Sequence, residues 1–376
     1  MDINQIQMQR IKIPLKAPFI TSFGAIKAKD IIIVRVFSDD EVGVAESVAL
    51  PFPIANEETT DTVWYMLETF LIPELLEREV QEPKDVSDMF SYIRRNPMAK
   101  AALEMAVWDL YSKQKGQTLA TALGGSRKEI EVGVSIGIED SIEALLQKVE
   151  GFLEEGYKKI KVKIKPGWDI KPLTAIRKRF GEQIPLMADA NSAYTLDDMK
   201  LLKELDMFSL MMIEQPLAYD DIIDHATLQA EIATPICLDE SIHSAEDTRK
   251  ALEINACKII NIKTGRVGGL TEAKKIHDLC QEKQVPVWCG GMLEAGIGRA
   301  HNIALASLSN FTIPGDTSAS SRYFHEDIIL PEVTLLKPGI IEVPTKPGIG
   351  FDVNNELINR LAVKEKVFTK KKSSFI

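Results

Sequence analysis

Residues 159–169 read KIKVKIKPGWD, with lysine alternating with Ile160, Val162 and Ile164 until Pro166 and Gly167 interrupt the pattern. Alternation with a period of two is strand geometry, and it puts the lysines on one face and the aliphatic residues on the other. An exposed strand would turn the lysines to water, but the flanking sequence makes this strand one of a series. EVGVSIG (131–137), KIKVK (159–163), PLMADAN (185–191), LMMIEQP (210–216), PICLDES (235–241), KIINIK (258–263), VPVWCGG (285–291) and FTIPGD (311–316) are all short, apolar and followed by a helix-like segment. Their polar ends fall at Ser135, Lys163, Asp189, Glu214, Asp239, Lys263, Met292 and Asp316. From Lys163 to Lys263 the steps are 26, 25, 25 and 24 residues.

One strand, one helix and two loops need about that length, so the chain repeats a strand-and-helix unit. Alternating strands and helices imply a parallel sheet, and eight such strands can close into a barrel whose chemistry sits at the C-terminal strand ends. The near-continuous apolar runs suit strands covered on their outer face. Upstream, IQMQRIKIPL and DIIIVRVFSDDEVGVAES read as strands with a turn near Asp39 and Asp40. Two helical patterns follow, at 56–79 and from Pro97 to Gly116. The reading is α/β, a barrel preceded by an α+β domain.

Bulk properties narrow the function. The 376 residues have a formal charge of −10, against the basic patch expected of a nucleic-acid binder. Four cysteines without paired spacing suggest neither zinc nor a disulfide framework, and they read as reduced thiols of a cytoplasmic protein. No signal peptide and no apolar run long enough to span a membrane is visible. The basic end TKKKSSFI reads as a frayed terminus.

Asp189, Glu214 and Asp239 end three consecutive strands. Any one of them alone is equally well explained as a helix cap. Three together would repel and raise one another's pKa unless a cation neutralised them. Oxygen-only donors favour Mg²⁺, with Mn²⁺ as a substitute. Lys163 precedes this trio by one strand and Lys263 follows it by one, so a barrel would set them face to face. A lysine lowered by a nearby cation is a competent general base; ion pairing of both lysines with the carboxylates is the lesser reading, and the two can coexist. A metal holding a substrate carboxylate beside two lysines can support removal of the adjacent proton.

These residues resemble the enolase superfamily, muconate-lactonising-enzyme subgroup, over nearly the whole chain. The motifs are KIKVKIKPGWD, ADANSAYTL, IEQPL, TPICLDESI, NIKTGRVGG, WCGGMLEAGIGRAHNIALASL and FTIPGDTSAS. The tryptophan of KPGWD, with the CGGM and PGDTSAS segments, resembles the o-succinylbenzoate synthase / N-acylamino acid racemase family in particular. The resemblance implies a (β/α)7β TIM-like barrel at 126–325. It also implies a capping domain at 1–125 and a C-terminal segment at 326–376 that returns to the cap.

It further implies Asp189, Glu214 and Asp239 as Mg²⁺ ligands, Lys163 and Lys263 as acid/base groups on opposite faces, and Lys161 beside the substrate carboxylate. The segment APFITSFGA would close over the substrate, with Phe19 and Phe23 as contacts. Ser135, Gly291 and Met292 are further candidate contacts. Arg266 would reach the outer end of the substrate or pack on a catalytic group, and a structural salt bridge to a neighbouring acid accounts for it equally well. Thr264 and Lys165 depart from the family pattern without removing a catalytic group.

The expected activity is Mg²⁺-assisted syn-dehydration of 2-succinyl-6-hydroxy-2,4-cyclohexadiene-1-carboxylate in menaquinone biosynthesis. Racemisation of N-acylamino acids (N-succinylamino acids among them) is the alternative, alone or as a second activity. A Schiff-base lysine enzyme would have no use for three carboxylates. The expected partner is a small carboxylate substrate, within a homo-oligomer that binds neither nucleic acid nor membrane.

Overall fold

The computed structural model describes residues 1–21, 24–39, 41–54 and 56–370, with the side chains of 19–21 and 24–25 outside the description. An antiparallel sheet opens the chain: β1 (Gln5–Thr21), β2 (Gly24–Ser38) and β3 (Glu41–Ser47). β1 and β2 form a long hairpin, in register from Gln5 opposite Phe37 to Thr21 opposite Gly24. Its Ile- and Val-rich middle is fully buried beneath the helix Pro97–Gln114. Glu58 accepts the Met98 and Ala99 N–H groups at 2.7 and 3.0 Å and so caps that helix. The expected helix at 56–79 spans Thr60–Glu77, with a π-helical turn at Leu67–Leu71.

After the short β4 (Glu129–Glu131) come seven parallel strands. They are β5 (Val134–Ile136), β6 (Ile160–Lys163), β7 (Leu186–Asp189), β8 (Ile213–Glu214), β9 (Ile236–Leu238), β10 (Ile259–Ile262) and β11 (Val287–Cys289), paired in chain order. The eighth run, expected as a strand, is not a regular one. Phe311 bridges Val287 and Gly315 bridges Val132, so the segment still closes the ring between β11 and the start of β5. Pro314 removes a donor and breaks the ladder there.

The remaining strands are short: β12 (Ile329–Leu330), β13 (Ile340–Glu342) and β14 (Asp352–Val353). The last, β15 (Ala362–Thr369), pairs antiparallel with β1 on its free edge. Thr369 and Lys370 bond into that sheet and are not frayed, whereas 371–376 lie outside the described residues. No described helix is long and apolar enough to cross a membrane.

Cap and barrel meet through buried acids. Glu104, on the helix Pro97–Gln114, accepts the N–H groups of Leu270 and Thr271 at 2.8 and 2.9 Å and the Trp108 indole at 2.8 Å. Leu270 and Thr271 open the barrel helix Leu270–Glu282, so the capping domain supplies that helix's N-terminal acceptor. The approach is close enough to need glycine. A Cβ on Gly269, which has φ +124°, would stand 2.2 Å from Glu104 Oε2. Replacing Glu104 with alanine orphans several buried donors at once. The expected loss is about 3 kcal/mol, read as a lowered urea midpoint.

Candidate active site

Strand register builds the site. Lys163 stands opposite Asp189, and Asp189 opposite Glu214, so three consecutive strands put their inward residues on one level. Glu214 pairs with Cys237, which leaves Asp239 two residues further along its strand and on the same inward parity. Lys263 directly follows β10 and reaches back to Asp239.

Each acid is held by a cation. Lys163 Nζ lies 2.5 Å from Asp189 Oδ2 and donates to Asn191 Oδ1 at 2.5 Å. Lys161 Nζ lies 2.6 Å from Asp316 Oδ2, 3.1 Å from Glu214 Oε2 and 3.3 Å from Asp189 Oδ2. Lys263 Nζ lies 2.6 Å from Asp239 Oδ2, and Arg266 pairs with Oδ1 of the same carboxylate. Burial works to raise the Asp189 pKa, but Lys163 and Lys161 outweigh it and hold the group well below the usual carboxylate range. Burial likewise works against the Lys161 charge. Asp316, Glu214 and Asp189 overcome it, and the ammonium titrates well above the ordinary lysine range.

The column continues inward. Lys159 is fully buried, 3.0 Å from Asp316 Oδ1, with its ammonium 3.4 Å from the centre of the Trp288 ring. The structure makes Lys159 the innermost member of a charged stack. Asp316, Asn191 and Trp288 were not singled out as site groups, although the polar end of the eighth run already marked Asp316.

A cavity of about 80 Å³ opens above the lysines, walled by Ser135, Lys163, Lys263, Gly291, Leu293 and Arg299 among others. A larger space, about 470 Å³, lies between the cap residues Pro53, Ile54, Asn56 and Glu57 and the barrel residues Ser192, Glu240 and His243. Ser135 and Gly291 thus face the cavity. Of the readings open for Arg266, its position is that of a side chain packed on a site group and ion-paired to a neighbouring acid. It is buried behind Asp239 and bonds the carbonyls of Ile242 and Asn261 at 2.7 and 2.6 Å, because a buried guanidinium takes backbone acceptors and a carboxylate before it takes open space. Met292 does not line this cavity either, since its N–H goes to Glu294 and its carbonyl to Lys29. Phe23 lies outside the described residues, as does the side chain of Phe19.

Among the described residues no three acids, histidines or thiols converge to hold an ion between them. Each acid is instead turned to an ammonium. The donor set still fits a hard cation, since Asp189, Glu214 and Asp239 offer only oxygen. Beside Asp239, Glu240 Oε2 is buried without a hydrogen-bond partner, a spare acceptor in the same patch. Burial raises the pKa of Glu240.

Both halves of the chain match known family models: residues 5–124 the mandelate racemase / muconate lactonizing enzyme N-terminal domain, and 144–357 the enolase C-terminal domain-like family. Over 368 residues the chain is 56% identical to an o-succinylbenzoate synthase of Geobacillus kaustophilus, covering 98% of each protein. It is 46% identical to an N-succinylamino acid racemase of Thermus thermophilus, covering 96% of this chain and 98% of that one. A crystal structure of an enolase-superfamily member from Listeria innocua superposes with a TM-score of 0.95 at 43% identity, covering 99% of this chain and all of the other. With a cap and a barrel that both match, and with lysines and acids at the barrel mouth, the chain is an enzyme of the enolase superfamily, in its mandelate racemase / muconate lactonizing branch.

Proposed function

We propose that this enzyme carries out the o-succinylbenzoate synthase reaction, the syn-dehydration of 2-succinyl-6-hydroxy-2,4-cyclohexadiene-1-carboxylate, within menaquinone biosynthesis. The observation that carries the reading is the pair Lys163 and Lys263 flanking the acids of three adjacent strands, in a chain 56% identical to a protein of that name. Lys163 Nζ takes the proton from the carbon bearing the carboxylate. The same nitrogen then returns a proton to the departing hydroxyl, and water leaves as the ring becomes aromatic. One base serving both steps requires both groups on one face, hence syn. Lys263 stays protonated on the other face and stabilises the charge that builds on the substrate.

Asp189, Glu214 and Asp239 are the residues assigned to hold Mg²⁺, or Mn²⁺ in its place, which when bound supplies Lewis-acid stabilisation of the substrate carboxylate. Lys161, fixed among three carboxylates, adds a permanent positive charge beneath them.

The two-sided lysine arrangement also supports racemisation of N-succinylamino acids, the activity named for the 46% identical relative. Lys163 and Lys263 would then alternate, one removing the α-proton and the other delivering it to the opposite face.

Lys163→Ala is expected to slow dehydration by about 10²–10⁴-fold, and Lys263→Ala to abolish exchange of the α-proton with solvent deuterium from one enantiomer first. A chromatographic assay of both reactions side by side checks this. Wild-type protein with Mg²⁺ that leaves the cyclohexadiene intact would overturn the dehydratase reading.

Chelation by EDTA should remove activity, and added Mg²⁺ should restore it. Asp239→Asn should need a metal concentration higher by about 10-fold or more for half-maximal activity. Activity that survives exhaustive chelation would exclude the metal assignment.

A further inference from the structure

Lys29 lies on β2, opposite Ile13, and its side chain is 1% exposed at the seam between cap and barrel. Its ammonium donates to two main-chain carbonyls, Val48 O at 3.0 Å in the cap and Met292 O at 2.8 Å in the barrel. Burial lowers its pKa to about 8, opposed by the nearby carboxylates of Glu294, Glu46 and Asp30. The group therefore still carries charge at neutral pH.

A buried cation is a costly way to join two domains, because desolvation exceeds what two neutral acceptors return. An apolar side chain of similar length would dock the same surfaces without that cost. The loop it touches offers a reason. Residues 290–295 connect β11 to the helix Gly296–Ala306, and Gly291, Leu293 and Glu294 wall the cavity over the lysines.

Leu293 has φ +59°, a conformation that a bulky side chain adopts only where its surroundings enforce it. Three contacts do so. Glu294 Oε2 accepts the Met292 N–H at 2.8 Å, Glu46 Oε1 accepts the Ala295 N–H at 2.7 Å, and Lys29 holds the Met292 carbonyl. Two of the three come from the capping sheet.

We propose that Lys29 is a positioning residue for substrate binding: from the capping domain it pins the Met292 carbonyl and so sets the cavity wall at Gly291 and Leu293, against which the outer arm of the substrate lies. Its kinetic consequence rests on the dehydratase reading above, whereas its effect on the loop does not.

The test compares Lys29→Met with Glu104→Gln in the full-length, Mg²⁺-loaded protein. Glu104 is a second seam contact, remote from this loop, so its variant reports loss of docking alone. Four quantities are read: thermal midpoint, amide hydrogen exchange of residues 291–295, and KM and kcat for dehydration. Lys29→Met should speed exchange in 291–295 by about 10-fold and raise KM by about 10-fold, with kcat within about threefold of wild type. Glu104→Gln should lower the midpoint while leaving KM and the exchange of 291–295 unchanged. Lys29→Arg, which keeps a cationic donor, should recover much of the KM, and Lys29→Gln, a neutral donor too short to span both carbonyls, replaces Lys29→Met should that variant not fold.

Unchanged exchange in 291–295 would overturn the proposal. So would an unchanged KM, or a KM that rises equally in Glu104→Gln. If the wild-type protein does not dehydrate the cyclohexadiene, the functional reading fails and the exchange comparison alone decides the role of Lys29.

Discussion

Three ammonium groups in one column along a single strand cannot be taken out of water unless negative charge is arranged around them. That constraint organises the barrel. Lys159, Lys161 and Lys163 point inward from β6, and the strands that follow supply Asp189, Glu214 and Asp239, with Asp316 closing the ring. Asp316 shows the reciprocity best. One of its oxygens faces Lys159 and the other Lys161, and together these lysines hold its pKa down at about 2 against the desolvation that works to raise it. Removing any one member would leave a buried charge without its complement, so the stack stands as a unit.

The same logic governs the seam between domains, with helix termini in place of lysines. Glu104 caps the barrel helix Leu270–Glu282, and Glu46 reaches the first turn of Gly296–Ala306, where Asp327 accepts the Gly296 N–H at 2.7 Å. Orphan N–H groups at a helix start are electropositive, and an acid brought from another element satisfies both the hydrogen bond and the dipole. The cap is thus hydrogen-bonded into the helices whose strands carry the site. Its position is tied to theirs.

The parts of this architecture legible in the sequence are those set by period. Steps of 24–26 residues placed the strands from β6 to β10, and a parity of two set Lys161, Lys163, Asp189 and Glu214 facing inward. What period cannot give is the partner of a long side chain. Arg266 sits one turn beyond Lys263, and only the folded loop shows its guanidinium turned back beneath Asp239. Nor does strand position reveal that Trp288, from a strand far away in sequence, would lie under the Lys159 ammonium. The eighth run misled for a local reason, since Pro314 and Gly315 let it close the ring through isolated bridges. The resemblance implies a C-terminal segment that returns to the cap, but not the edge of β1 that β15 takes, because edge-strand pairing depends on which edge is left free.

Geometry also limits what one strand can do. Alternate residues on one face of a strand are about 6.6 Å apart, so Lys161 and Lys163 cannot serve the same reacting carbon. Both line the cavity, but Lys161 is held among Asp316, Glu214 and Asp189 with its charge locked, whereas Lys163 has Asp189 and Asn191 as its partners. A second group able to exchange a proton at that carbon must come from across the barrel, and Lys263, held against Asp239, lines the same cavity. A substrate whose leaving group and acidic proton share a face needs only the near lysine, whereas inversion at carbon needs both. The barrel thus holds the groups for either reaction, and the choice falls to whatever fixes the orientation of the substrate. On the proposal above, the loop pinned by Lys29 is one such surface, and it carries neither of the two lysines.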